Sequence, residues 1–480
     1  MNLSRRQLFA GAASAVAVYG FDPVAGIWVS EARAGCIRAP DLRGELVFES
    51  TAIAEAAEDF GHIEHRLSWA VLRPGNFEDV VRMVRFANQQ GLPIAMRGQG
   101  HSVLGQAQAP SGIVIDSRSL NRIHRLDADG AIVETGVTWS ELVTRATAVG
   151  LTPPVLTDYL HLSIGGVLSV GGVGGSSHRH GLVVDQVEEL TVVTGQGELV
   201  TCSSRHHRVL FESTLGGLGQ FALILQAKLR LRAAHAMARV YQLVYTDLSR
   251  YLRAHRALDG TKTLDFLQGL VSPGPEGGWQ YILQCAQWYD STPPPSPLDP
   301  LSADLAPLAT EISDLPYLAW TSRVDQFVAG WASAGVWTTP HPWSDLFLPD
   351  DAVEAFVTKA LANTTPADVG AGVILLYPLR RGGAALPFLR TPAGDRIWLF
   401  DILRFAPSDP NIVQGMLNAN RALLDQAVAI GGKRYPISAV RMRPADWVAH
   451  YDSAYPALVI RKAAFDPRNV LTPGQRIFRQ

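Results

Sequence analysis

Arg97-Gly-Gln-Gly-His-Ser-Val-Leu-Gly-Gln106 is the stretch on which the reading of this chain turns. Its glycines let backbone N–H groups turn inward and approach an anionic ligand with no Cβ in the way, as a pyrophosphate cradle requires. Two further segments share that texture, Gly165-Gly-Val-Leu-Ser-Val-Gly-Gly-Val-Gly-Gly-Ser176 and Leu215-Gly-Gly-Leu-Gly219. None is a dinucleotide fingerprint. No Gly-x-Gly-x-x-Gly opens a helix after a strand with an acidic residue some 20 positions on, and there is no Walker sequence. Taken singly, each segment reads as a tight turn; the three together ask for a common explanation.

Around the first segment the pattern alternates between short β-like runs and amphipathic helices. Asn76 stands as an N-cap with Asp79 three residues on; Phe77, Val80, Val81, Val84 and Ala87 recur at helical spacing, and Gly91 stops the helix. Thr138 and Glu141 repeat the capping spacing before Trp139, Leu142, Val143 and Ala146, with Gly150 as the end. Leu92 to Met96 and Gly112 to Asp116 read as strands. From about Val240 to Pro436 tryptophan and tyrosine become frequent and the proline-rich run Ser291–Pro297 marks an exposed loop, so a second domain is expected there.

Composition bounds the rest. A chain of 480 residues has a prior of two or three domains. A formal net charge of −2 gives no bulk field to hold a polyanion, so a dedicated nucleic-acid binder is not expected. Cys36, Cys202 and Cys285 cannot build a disulfide scaffold or a four-cysteine zinc site. His178, His180, His206 and His207 sit in solvated or glycine-flanked settings, and no metal is assigned to them. At the N-terminus Ser4-Arg5-Arg6-Gln7-Leu8-Phe9 opens a twin-arginine pattern, followed by an apolar run to Phe21 and a small-x-small site at Ala32-Arg33-Ala34. Residues 1–34 therefore read as a twin-arginine signal peptide, removed on export to the periplasm or beyond. The apolar run is too short to span a bilayer, so no stable membrane insertion is expected.

The motifs supply the common explanation. The 97–106 loop, Thr157-Asp-Tyr-Leu160, Ser163-Ile-Gly-Gly-Val-Leu-Ser169 and His178-Arg-His-Gly181 resemble, in order, the FAD domain of the vanillyl-alcohol oxidase superfamily. Within it the nearest likeness is to the cytokinin dehydrogenases. The likeness continues through Thr194–Cys202, Leu215–Ile224, Trp337-Thr-Thr-Pro-His-Pro-Trp343, Tyr377-Pro-Leu379, Arg461–Pro467 and Leu471–Phe478. The resemblance implies an α+β, two-domain PCMH-type FAD-binding fold with an inserted α/β substrate domain. Its FAD-binding parts would be residues 35–238 and 437–480, and its substrate-binding part residues 239–436. It implies FAD bound covalently through His101. Gly98, Gln99, Gly100, Ser102, Gln106, Ser163, Ser169, Ile224, Tyr435 and Gln475 fall on positions near the cofactor, and Asp158 falls on that of the catalytic aspartate. The second glycine loop, Gly171 to Gly175, has no cysteine, so a single covalent bond is implied.

The implied reaction removes a hydride from carbon beside an amine, while a carboxylate holds or takes the N–H proton. Oxygen or another acceptor would reoxidise the flavin. The alternative on the same scaffold is oxidation of an alcohol, sugar or secondary metabolite. The sequence departs from many plant members, which carry a glutamate shortly before the tryptophan of the Trp-x-x-Pro-His-Pro-Trp stretch. Ala329-Gly-Trp-Ala-Ser-Ala-Gly-Val-Trp337 holds no carboxylate. Trp337, His341, Trp343 and Tyr377 read as the aromatic core of the second domain.

Overall fold

The computed structural model describes residues 19–23, 25–31, 35–261, 263–295, 307–383 and 386–478. The small sheet nearest the first glycine loop has the strand order Glu45–Val47, Ala70–Arg73, Ile113–Asp116, Ile94–Arg97. Its last three strands are parallel. The parallel crossover is the helix Phe77–Gln90, capped by Asn76, whose side-chain oxygen accepts from the Asp79 N–H at 3.0 Å, and closed by Gly91 in the left-handed region. Val80, Val81, Val84 and Ala87 are buried on one face of that helix. The helix Trp139–Thr147 begins as its spacing predicts, with Thr138 Oγ1 accepting from Glu141 N–H at 3.2 Å.

A second, antiparallel sheet runs in the order Leu199–Ser203, Val187–Thr194, Ala222–Leu229, Gly130–Glu134, Ile123–Asp127. A third, of eight strands, extends from Met237 to Arg434. Its central strands are Trp279–Tyr289, Phe266–Pro273, Val373–Arg380, Arg396–Leu403 and Ser344–Pro349. Period-2 alternation divides the two faces of this sheet. Leu267, Leu376, Trp398, Phe400 and Ile402 pack under the helices Leu248–Thr261, Val353–Ala362 and Pro410–Ala429. Their neighbours Gln268, Leu375, Tyr377, Leu399, Asp401 and Leu403 face the opposite way, into a cavity against the second sheet. After Arg434 the chain returns to the small sheet, where Leu471 bridges Ile94 in parallel.

The two halves approach closely where side chains are smallest. A Cβ on Gly175 would meet the Phe266 ring at 2.3 Å, and the Gly175 carbonyl accepts from Leu267 N–H at 2.9 Å. The second glycine-rich segment thus docks onto a strand of the large sheet. In the 291–297 run, Ser291 to Pro295 is irregular and partly exposed as expected, and the remaining two residues lie outside the described ones.

At the N-terminus the described residues include strands that precede the expected boundary at residue 34. Gly20–Asp22, Ile27–Val29 and Ile37–Arg38 form a three-stranded antiparallel sheet. Phe21 and Trp28 are buried in the core of the small-sheet layer, with ring centroids 5.6 Å from Trp69 and Phe86, respectively. Apolar residues that read as the end of a leader are core residues. The small-x-small triplet itself, and the twin arginines, lie outside the described residues.

Candidate active site

The site is built around a loop that two segments fix together. Phe60 N–H donates to the Gly100 carbonyl at 2.9 Å and Gly61 N–H to that of Ser102 at 3.0 Å. The Asp59 carboxylate, buried beneath, accepts from Gly61 N–H at 3.1 Å and Gly105 N–H at 2.7 Å. Burial pushes Asp59 up to about 7, against those two amides and the charge of Arg97. Gly100 takes φ +72°, which a side chain would strain, and a Cβ on Gly98 would fall 2.0 Å from Ser163 Oγ.

His101 projects from this loop into an aromatic cage. Its ring stacks on Phe60 with centroids 3.9 Å apart and 27° between planes, and Tyr159, Trp343 and Trp337 stand at 5.2, 5.7 and 5.9 Å. Enclosure, with a smaller contribution from His341, lowers its pKa to about 3, so the imidazole is neutral throughout the physiological range. His341 is fully buried behind Phe60, whose carbonyl lies 2.7 Å from its Nδ1. Trp337, Trp343 and Tyr377, read from sequence as core, in fact line the cavity. Their strands and turns belong to the large sheet, but they face the cofactor loop across the cavity.

Asp158 enters the same cavity from the loop before the helix Ile164–Val170. One carboxylate oxygen accepts from Arg323 Nη2 at 2.6 Å and the other from the Gln268 side-chain amide. Arg323 also donates to Gln268 Oε1 at 2.8 Å, and its guanidinium lies over Trp320 at 4.5 Å and Phe266 at 4.9 Å. The carboxylate is therefore fixed in orientation, with lone pairs left over for a ligand donor. Neither partner was found by sequence reasoning. Both come from the second domain, more than a hundred residues away, and a single glutamine in a strand carries no motif.

The structure gathers Gly98, Gln99, Gly100, His101, Ser102, Gln106, Asp158, Ser163, Ser169, Ile224 and Tyr435 around one cavity; Gln475 stands outside its lining. Several of these side chains are committed to the protein itself. Ser163 Oγ caps its helix by accepting from Gly166 N–H at 3.3 Å, Ser169 Oγ donates to the Gly165 carbonyl at 2.7 Å, and Gln106 Nε2 donates to the Pro436 carbonyl at 2.7 Å. Their contribution is to hold the glycine backbone open. Gln475 Nε2 is buried with no hydrogen-bond partner. The cavity fits a long anionic cofactor with a flat ring. Gly98, Gly100, Gly165, Gly166, Gly172 and Gly219 bare their backbone along it, and a Cβ at Gly98, Gly165 or Gly172 would collide at 2.5 Å or less.

Among the described residues no group of three or more His, Cys, Asp and Glu side chains is placed to hold a metal, and no helix is long and apolar enough to cross a membrane.

Comparison with known proteins decides the family. The FAD binding domain family matches residues 69–203, and the family described as cytokinin dehydrogenase 1, FAD and cytokinin binding, matches residues 275–478. Cytokinin dehydrogenase 4 of Arabidopsis thaliana is 33% identical over 480 aligned residues, covering 89% of this chain and 91% of that protein. This chain belongs to the cytokinin dehydrogenase-like family of PCMH-type FAD proteins. It is an FAD-dependent oxidoreductase with an α+β, two-domain fold. Cytokinin dehydrogenase 1 of Oryza sativa subsp. japonica is 33% identical over 493 aligned residues, covering 91% of this chain and 92% of that protein. A protein of Rhodococcoides fascians called an uncharacterized oxidoreductase of the fasciation locus is 36% identical over 428, covering 88% and 97%.

Proposed function

We propose that this enzyme oxidises a C–H bond next to a secondary amine, in a substrate of the cytokinin type, with FAD held covalently by His101. The observation that carries the reading is Asp158, its carboxylate braced by Arg323 and Gln268 inside the cavity that His101 and the glycine loops line. FAD supplies the two-electron acceptor for the hydride. Asp158 accepts the amine N–H, orients the adjacent C–H and takes the proton as the C=N bond forms. Arg323 and Gln268 prevent the carboxylate from rotating away. Val324, Phe327, Val328, Trp331 and Phe405 make an apolar wall suited to the alkenyl or aromatic arm of such an amine. His101, neutral and caged, is able to act as the nucleophile that the covalent link requires.

A second reading, oxidation of an alcohol, sugar or secondary metabolite, is favoured by one observation. The stretch 329–337 gives the cavity Trp331 and Trp337 but no carboxylate to grip an adenine. An anaerobic screen that follows flavin bleaching with N6-alkenyl adenines, simple amines and alcohols separates the two. Bleaching by alcohols alone overturns the amine reading. The twin arginines and the Ala32-Arg33-Ala34 site support folded export with a leader of residues 1–34. Changing Arg5 and Arg6 to Lys is expected to leave the protein in the cytoplasm, and unchanged export would dismiss that part.

A further inference from the structure

The wall of the cavity opposite the glycine loops carries two acidic groups that the reaction above does not use. Asp345 and Asp401 are directly opposed in the antiparallel pair Ser344–Pro349 and Arg396–Leu403, so their side chains leave the same face of the sheet. Asp345 is 0% exposed and Asp401 3%. Three of their four carboxyl oxygens, both of Asp345 and Oδ1 of Asp401, have no hydrogen-bond partner. Asp401 lines the cavity, between Leu399 and Leu403 on its own strand and beside Leu375 on the next. An unsatisfied polar oxygen at this depth is costly, and two opposed carboxylates cannot both stay charged without water or a contacting cation.

The surroundings do not supply that cation in contact. Arg434, on the outermost strand, is the positive group nearest in the fold, and its charge lowers Asp345 without outweighing burial. Its Nη2 donates to the Ser438 carbonyl at 2.6 Å, while its Nε, like both oxygens of Asp345, is buried without a hydrogen-bond partner. The other groups that face the pair are Asp158 across the cavity and the phenols of Tyr377 and Tyr435. Burial holds both phenols well above their ordinary value, so they stay neutral. Burial pushes Asp345 up to about 8 and Asp401 well above the carboxylate range, where the charge of Asp345 raises it further; a backbone N–H of Leu346 beside Asp401 does not outweigh this.

We propose that Asp345 and Asp401 hold at least one proton between them at neutral pH, and that Asp401 presents a proton into the cavity as a hydrogen-bond donor to a ring nitrogen of the substrate. The flat apolar slot formed by Leu375, Leu399, Trp343 and Tyr377 around Asp401 suits a heteroaromatic ring, whose in-plane nitrogen is an acceptor. The pair thus takes the recognition role left open by the missing carboxylate in 329–337. The identity of the ring rests on the amine reading above; the shared proton does not.

The test uses the FAD-loaded enzyme and adenine, a probe with ring nitrogens and no alkenyl amine to oxidise. Infrared difference spectra at pH 7, parent minus the Asp345→Asn/Asp401→Asn double variant, are expected to show the carbonyl stretch of a buried protonated carboxyl over and above that of Asp59. Adenine binding, followed by perturbation of the flavin spectrum, is expected to weaken about 10–100-fold in Asp401→Leu, the scale of a lost buried hydrogen bond. In the parent it weakens at alkaline pH, where Asp401 ionises, and in Asp401→Asn, whose amide keeps a donor at every pH, that pH dependence disappears. Lack of the carboxyl band overturns the shared proton. Adenine that does not bind the parent, or that binds Asp401→Leu within two-fold, overturns the recognition role. A flavin spectrum changed in Asp401→Leu with adenine binding unaltered would assign the donor to the cofactor and equally overturn it. Failure of every amine in the anaerobic screen, with these results intact, would instead remove the amine reading alone.

Discussion

In the proposed reaction Asp158 takes the proton, and its two partners sharpen what its replacement does. Asp158→Asn keeps size and shape and retains the fold, but it loses the proton acceptor and places a neutral amide against Arg323. Hydride transfer is expected to slow by about 10²–10⁴, the scale of a lost general base. Single-turnover flavin reduction is the measurement, because a steady-state rate reports reoxidation or product release as readily. Reduction within a few-fold of the parent at saturating substrate would withdraw Asp158 as the base. His101 yields a separate expectation: flavin stays with the acid-denatured parent polypeptide and is released from His101→Ala, whereas yellow supernatant from the parent would refute the covalent bond. What the sequence makes legible here is contiguous. His101, its flanking glycines and Asp158 sit in short motifs whose spacing survives any fold. Gln268 and Asp401 are invisible because one residue in a strand's alternating pattern looks like any other inward-facing position, and Phe60 and Arg323 because they reach the site from turns that carry no motif.

The capped helices and parallel strands around the first glycine loop match their sequence expectation to within a residue or two, because caps and period both act locally. The N-terminal segment makes contacts that local reading does not show. An apolar run followed by small residues is compatible with a leader, yet Phe21 and Trp28 serve tertiary packing that no local pattern announces. Two truncations make the point measurable. A chain beginning at Tyr19 retains the three-stranded sheet; one beginning at Gly35 loses two of its strands and uncovers Trp69 and Phe86. The shorter chain is expected to unfold at clearly lower denaturant, and Trp28→Ala in the longer one to cost about 3–5 kcal/mol, the usual scale for a buried aromatic. Equal midpoints for the two truncations would show that the hairpin contributes nothing to the folded domain.

At the scale of the whole molecule, the buried titratable groups set how stability depends on pH, and their signs oppose. His341 and His180 are lowered to about 4 and His101 and His450 to about 3 by burial, and His178 and His255 are lowered in the same way. Between pH 4 and 6.5 the unfolded chain protonates these rings and the folded chain does not, so stability rises with pH over that window. Asp59, Asp345 and Asp401 run the other way. Raised to about 7, about 8 and beyond, they hold protons in the folded state that the unfolded chain releases near pH 4, so stability falls as pH rises, until each folded group ionises. Below pH 6.5 the six histidines outweigh the three carboxyls. Above it the unfolded histidines lose their remaining protons within about one pH unit and the carboxyls come to dominate the slope. The apparent melting temperature is therefore expected to peak near pH 6.5 and decline toward pH 8, each uncompensated proton being worth about 1.4 kcal/mol per pH unit. Asp345→Asn removes one carboxyl and relieves its neighbour, so the decline between pH 6.5 and 8 should become shallower while the acid limb keeps its slope. Thermal unfolding across pH 4–9 checks both. A parent that grows more stable from pH 6.5 to 8, or a variant with an unaltered decline, would mean that the opposed carboxyls are charged in the folded protein, and with them would go the shared proton on the cavity wall.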